Sequence, residues 1–203
     1  MSITAIYFDI GGVLVRTMDR APRAALARRL GVTYEALEEL VFSGEQGRRA
    51  QRGEITAEEQ WAYVCRALNY PLETWRTLQA EFFAGDGLDA ELVAAIRGLH
   101  ARYRTGIISN ALSDVRDAVV NHWRIADAFD VMIFSCEVGA MKPDPRIFQS
   151  ALQALNVRPD EAVFVDDFAP NVEGARAMGM HAIQFRSPQQ LSEQLPALLT
   201  VWE

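Results

Sequence analysis

Short apolar runs of strand length recur along the chain, and longer stretches patterned as amphipathic helices separate them. The runs are Ile3–Phe8, Arg104–Ile108, Val131–Phe134, Ala162–Val165 and His181–Phe185. Helical patterns follow at Ala90–Arg102, Ser113–His122, Pro145–Leu155, Asn171–Met178 and Pro188–Leu199. Strand, helix, strand in steady succession demands right-handed crossovers, and so a parallel sheet with helices on both faces. That alternation is the strongest constraint on the fold.

One interval breaks the rhythm. From about Thr17 to Gly87 only helical patterns occur, at Ala21–Leu30, Tyr34–Phe42, Ala57–Leu68 and Leu72–Phe83. Trp61, Val64, Cys65 and Leu68 recur at helical spacing, and Thr56 followed by Glu58 and Glu59 marks a helix start. The expectation is an α/β chain, a three-layer Rossmann-like parallel sheet with a small all-α unit inserted after the first strand. Residues 1–16 and 87–203 would form the core and 17–86 the insertion, standing over the carboxyl end of the first strand as a lid.

The 203 residues suit one globular core with a modest insertion. A net charge of -7 argues against a nucleic-acid or anionic-membrane partner, whose phosphates need a basic face. No apolar stretch reaches the roughly 18 residues of a membrane span, and the N-terminus enters a strand-like run without a leader pattern. Cys65 and Cys136 stand far apart with no CxxC pair, which reads as reduced thiols. Together these give a cytoplasmic protein, expected as a monomer or weak homodimer.

The functional signal lies where the apolar runs end. Phe8 runs into Asp9, Ile108 into Ser109-Asn110, and Val165 into Asp166-Asp167. The run ending at Phe134 leads through Ser135 and Glu137 to Gly139-Ala140-Met141-Lys142-Pro143. Ligands of an open parallel sheet bind outside the carboxyl ends of its strands, so these residues should converge on one rim. Asp9, Asp166 and Asp167 are hard oxygen donors whose mutual repulsion Mg²⁺ can offset. A carboxylate so screened can attack phosphorus. Ser109 can donate to the transferring phosphoryl group, and Lys142 can bridge nucleophile and phosphate as a compact charge. Taken singly, Asp9 could be a turn residue, Asp166 or Asp167 a helix cap, Lys142 an exposed loop lysine, and Asn110 a residue that merely orders its loop.

Four segments carry a resemblance: Tyr7-Phe8-Asp9-Ile10-Gly11-Gly12-Val13-Leu14, Ile107-Ile108-Ser109-Asn110, Met141-Lys142-Pro143-Asp144, and Phe164-Val165-Asp166-Asp167-Phe168-Ala169-Pro170-Asn171. In order and spacing the chain resembles the haloacid dehalogenase-like (HAD) hydrolase superfamily, and its helical interval resembles that family's C1 cap. The resemblance implies a Mg²⁺-dependent phosphatase acting on a small phosphorylated substrate. Asp9 would be nucleophile and metal ligand, with Lys142 assisting. Ser109, Asn110 and Lys142 would bind the phosphate. Asp167 and the Gly11 backbone carbonyl would complete the metal ligands, Asp166 ligating directly or through water, and Asn171 would support the shell.

Two departures stand out. Phosphatases of the superfamily usually carry a second aspartate where this chain has Gly11, and that group protonates the leaving group. Asn171 stands where many relatives have another acid. Bacterial sugar-phosphate phosphatases similar to this chain also have glycine at the first of these places, which favours sugar phosphates as substrates. The rival expectations are a 2-haloacid dehalogenase using the same aspartate and a non-catalytic binding protein of the same fold. Within the insertion, the polar segment from Ser43 to Glu54 is expected as a solvated connection. Its functional alternative has Glu45 and Arg48 or Arg49 reading substrate hydroxyls or carboxylates. His100, His122 and His181 share no metal-ligand spacing, and Trp61 and Trp75 are expected in the insertion's own core.

Overall fold

The computed structural model describes residues 2–199. Its strands are β1 (Ala5–Phe8), β2 (Val15–Thr17), β3 (Asp86–Leu88), β4 (Arg104–Ser109), β5 (Val131–Phe134), β6 (Ala162–Asp166) and β7 (His181–Gln184). The helices of the insertion are α1 (Ala21–Arg29), α2 (Tyr34–Glu38), α3 (Glu45–Gln51), α4 (Ala57–Ala67) and α5 (Trp75–Phe82). Those of the core are α6 (Ala90–Leu99), α7 (Val115–Asp117), α8 (Ser135–Val138), α9 (Pro145–Leu155), α10 (Ala169–Ala177) and α11 (Pro188–Leu199).

Five strands form one parallel sheet in the order β5-β4-β1-β6-β7. Alternation along β1 assigns its two faces. Ile6 and Phe8 join Ile107, Val163 and Val165 under Val93 and Ile96 of α6 and Leu191 and Leu195 of α11. Ala5 and Tyr7 join Ile108 and Phe164 under Ile147, Phe148 and Ala151 of α9 and Ala175 of α10. The result is the expected three-layer α/β architecture. Because β4 and β6 flank β1 on opposite sides, the order reverses at β1, the point beyond whose carboxyl end open α/β sheets form their ligand crevice.

Local chemistry sets the helix ends. Asp144 caps α9 by accepting from the Arg146 N–H, Pro145 occupies its first turn, and Asn156 closes it in the left-handed region at φ 52°. Thr56 and Glu59 form a reciprocal capping box on α4. At the sheet edge, Arg176 and Gln190 donate to the outward carbonyls of Ala182 and Gln184, occupying acceptors that a foreign strand would otherwise use.

Between β2 and β3 the chain is helical and holds its own apolar cluster, centred on Leu26, Val41, Trp61, Val64, Leu78 and Phe82. β2 and β3 pair antiparallel, Val15 opposite Leu88 and Thr17 opposite Asp86, so the two connections form a single ribbon. Two expectations need correction here. Glu45–Gln51 is a helix, not a solvated connection. Gly47 and Ala50 are buried along it, and a Cβ at Gly47 would lie 2.5 Å from the Phe42 carbonyl oxygen, so small residues permit a close approach without an apolar stripe. The predicted helix Tyr34–Phe42 also widens into a π turn over Glu39–Ser43. Gln60 donates to the Leu40 and Val41 carbonyls and Gln51 to that of Phe42, satisfying acceptors near the widened turn.

Candidate active site

Four strand ends deliver the polar residues to the crevice, each by a short-range device. After β1 the backbone coils tightly: the Ile10 carbonyl accepts from the N–H groups of Val13, Leu14 and Val15, at 3.3, 2.9 and 2.8 Å. Gly12, at φ +77°, permits this turn, and it has a second reason to be glycine. A Cβ there would fall 2.3 Å from the Asp167 carboxylate, which therefore rests directly on the Gly12 backbone. Gly11 differs: a Cβ built on it meets nothing within 4 Å. The place of the absent aspartate is open space.

Lys142 lies at the centre of the cluster. Its side chain is fully buried, and its ammonium reaches Asp9 Oδ1 at 2.9 Å, Asp166 Oδ2 at 2.7 Å and the Ile108 carbonyl at 2.9 Å. Those three contacts account for its three hydrogens. Asp166 is as fully enclosed. Its oxygens accept from Lys142, from the Phe168 N–H at 2.8 Å and from the Asn171 amide at 3.2 and 3.1 Å. Asp9 is 7% exposed, and its Oδ1 also accepts from the Ile10 N–H at 2.7 Å.

Oxygens of Asp9, Asp166 and Asp167 lie within 4.8 Å of one another. Burial pushes the Asp9 carboxyl up to about 7, against the opposing pull of Lys142; Asp166 adds to the rise, and hydrogen bonds from Ser109 and Lys142 resist it. Burial, then the Asp166 charge, also raises Asp167. Three carboxylates around one ammonium leave negative charge unbalanced, and Asp167 opens toward solvent. This donor set of hard oxygens fits a divalent cation such as Mg²⁺.

The structure thus gathers Asp9, Ser109, Lys142, Asp166, Asp167 and Asn171. Asn110 lies beside them, but its side chain is engaged with the Lys142 peptide: Oδ1 accepts the Lys142 N–H at 2.7 Å and Nδ2 donates to the Lys142 carbonyl at 3.1 Å. The insertion residues behave otherwise. Arg49 binds Glu54 and Gln46, Arg48 binds the Ser43 carbonyl, and Glu45 is exposed. Among the described residues no hydrogen bond or ion pair joins them to the Asp9 network. Trp61 is buried in the insertion's core, and Trp75 packs against it. Cys65 is buried; Cys136 is half-buried, and burial pushes its thiol up to about 11. Sequence reasoning overlooked Gly12 as the seat of Asp167, although the adjacent glycines after Asp9 were a visible signal.

Known proteins are similar to this chain in sequence and in fold. A phosphatase of Mycobacterium tuberculosis is 29% identical over 208 residues, 90% of this chain and 87% of that protein. An (S)-2-haloacid dehalogenase of a Pseudomonas strain is 29% identical over 144 residues, 65% of this chain and 63% of the dehalogenase. Three matching proteins of mouse and rat are much longer, and this chain spans 15–19% of their lengths. In fold the chain is similar to a HAD family enzyme of Bacteroides thetaiotaomicron, solved in complex with magnesium and inorganic phosphate. That likeness has a TM-score of 0.80 at 20% identity, over 95% of this chain and 99% of the other. The sequence model of the haloacid dehalogenase-like hydrolases matches residues 3–179. The chain belongs to that family.

Proposed function

We propose that this protein is a Mg²⁺-dependent phosphatase for a small phosphorylated metabolite, with sugar phosphates the favoured class, working through an aspartyl-phosphate on Asp9. The observation that carries the reading is the cluster itself. A buried carboxylate sits against a fully buried lysine while two further acids crowd it. The relatives support it, since a phosphatase matches along most of the chain and the Bacteroides enzyme holds magnesium and phosphate.

Asp9 and Asp167, with the Gly11 carbonyl, would hold the metal. Asp166, whose oxygens are already engaged, would act from behind by fixing Lys142. Bound Mg²⁺ supplies positive charge that lets two anions, nucleophile and phosphate, approach each other. An Asp9 oxygen attacks phosphorus and the ester P–O bond breaks, Lys142 and Ser109 offsetting charge on the phosphoryl group while the departing oxygen takes its proton from water. Water then hydrolyses the acyl phosphate, releasing phosphate and restoring Asp9. Gly11 offers no proton to the leaving oxygen, a contribution worth typically 10²–10⁴-fold where an acid is present. Good leaving groups, such as an anomeric sugar oxygen, fit that deficit. Residues 17–86 act as the cap that admits small substrates and excludes water.

The test compares wild type with Asp9→Asn on p-nitrophenyl phosphate, a sugar-phosphate panel and 2-chloropropionate, with and without Mg²⁺. Phosphate release that needs Mg²⁺ and vanishes in the variant is the expected result. Halide release without metal would establish the dehalogenase reading instead. A folded wild type inert toward every compound would point to a binding protein.

A further inference from the structure

Ser109 is bracketed by two contacts to the same lysine. On one side the Ile108 carbonyl accepts from the Lys142 ammonium at 2.9 Å. On the other, the Asn110 amide pairs in both directions with the Lys142 peptide, at 2.7 and 3.1 Å. The end of β4 therefore grips Lys142 at its head and at its backbone. These groups are 32 and 34 residues apart in sequence, so the grip is a tertiary device and not a local turn.

We propose that Asn110 is a positioning residue: its side chain fixes the Lys142 peptide and thereby sets the spacing between the Lys142 ammonium and the Ser109 hydroxyl. It rests on the reading of Lys142 and Ser109 as phosphate-binding groups, and it removes the Asn110 side chain from direct contact with phosphate. The physical need is clear. A lysine stem has four rotatable bonds, and an ammonium is a point charge without the built-in direction of a guanidinium. Asp9 and Asp166 hold the buried ammonium at its head, and the Asn110 amide holds the backbone behind it. Asparagine suits the task because one amide carries both an acceptor for a peptide N–H and a donor for a peptide carbonyl. Aspartate or serine at this position cannot reproduce both bonds from a planar group.

The test is a double-mutant cycle read by the affinity of the Mg²⁺-loaded protein for inorganic phosphate, using wild type, Asn110→Ala, Lys142→Ala and the double variant. A positioning role predicts that Asn110→Ala weakens phosphate binding in the wild-type background and changes nothing further once Lys142 is gone. An equal loss in both backgrounds would overturn it, showing either a direct phosphate contact or a general folding defect. In turnover, a displaced lysine should lower kcat on the order of 10²-fold. The crystal structure of Asn110→Ala decides the point without any ligand. Lys142 Nζ displaced from Asp9 supports the proposal, and Nζ unmoved refutes it. If wild type binds no phosphate, the phosphatase reading fails on its own, and the position of Lys142 still tests the role of Asn110.

Discussion

Two buried cations organise this molecule, Lys142 at the rim of the sheet and Arg23 in the helical insertion, and their surroundings differ in a telling way. Arg23 is 4% exposed, stacks 4.1 Å over the Phe82 ring, binds Asp86 through two oxygens and reaches Glu38, the Phe82 carbonyl and the Tyr34 hydroxyl. Its partner Glu38 is 40% exposed, so water screens part of the excess negative charge. Lys142 has Asp9 and Asp166 as partners with a third carboxylate close by, and both partners are buried. In the first cluster two carboxylates face one guanidinium, and the surplus charge lies on water-exposed Glu38. The second carries more negative charge than its lysine can offset and opens at Asp167. On the proposed function, the surplus charge of the second cluster would receive a cation and, with it, an anion.

Breaking each cluster should therefore produce different failures. Arg23→Met should cost the most stability, about 3–5 kcal/mol by urea unfolding, because Asp86 and Glu38 lose their counter-charge. Catalytic parameters of the surviving folded fraction should change little. Lys142→Met should spare more of the fold, since Asp9 can take up a proton, yet kcat should fall ~10²–10³-fold, the scale of one lost phosphoryl-stabilising donor. Mg²⁺ should raise the unfolding free energy by ~2.7 kcal/mol at a hundred times its Kd. Asp167→Asn should abolish that gain, whereas Arg23→Met should retain it. A gain that survives in Asp167→Asn would move the metal elsewhere.

The pH response sharpens the contrast last. The Asp9 carboxyl lies at about 7 in the folded protein against an ordinary 3.8, so between these values the folded state binds the extra proton. This contribution is fully present below 3.8 and is lost as pH rises through about 7. Stability of metal-free wild type relative to Asp9→Asn should accordingly fall with rising pH, at up to ~1.4 kcal/mol per unit within that window. Saturating Mg²⁺ should flatten the difference. A difference independent of pH would mean that Asp9 ionises normally.

The five sheet strands were legible because each is an apolar run between turn signals, and the rim because those runs stop at polar residues. Most core helices followed from apolar spacing. β2 and β3 were not legible: each has three residues, and their pairing joins Val15 to Leu88 across the whole insertion. Helix α3 was hidden because its buried positions are Gly47, Ala50 and Gln51, which carry no hydrophobic stripe. The π turn keeps the apolar spacing of an ordinary helix, and only the distant glutamines that bind its carbonyls reveal it. At the site, residue types pointed to the cluster, but not to partnerships such as Asn110 with the Lys142 peptide, which depend on how β4 and the loop before α9 meet.

The seating of Asp167 on Gly12 has a mechanical consequence. With a carboxylate occupying the volume of the missing side chain, the turn after β1 and the loop after β6 lie in direct contact, and any side chain at Gly12 would force them apart. On the proposed reading, accommodation of differently shaped substrates would fall to the β2–β3 ribbon, whose two short strands join the helical insertion to the core.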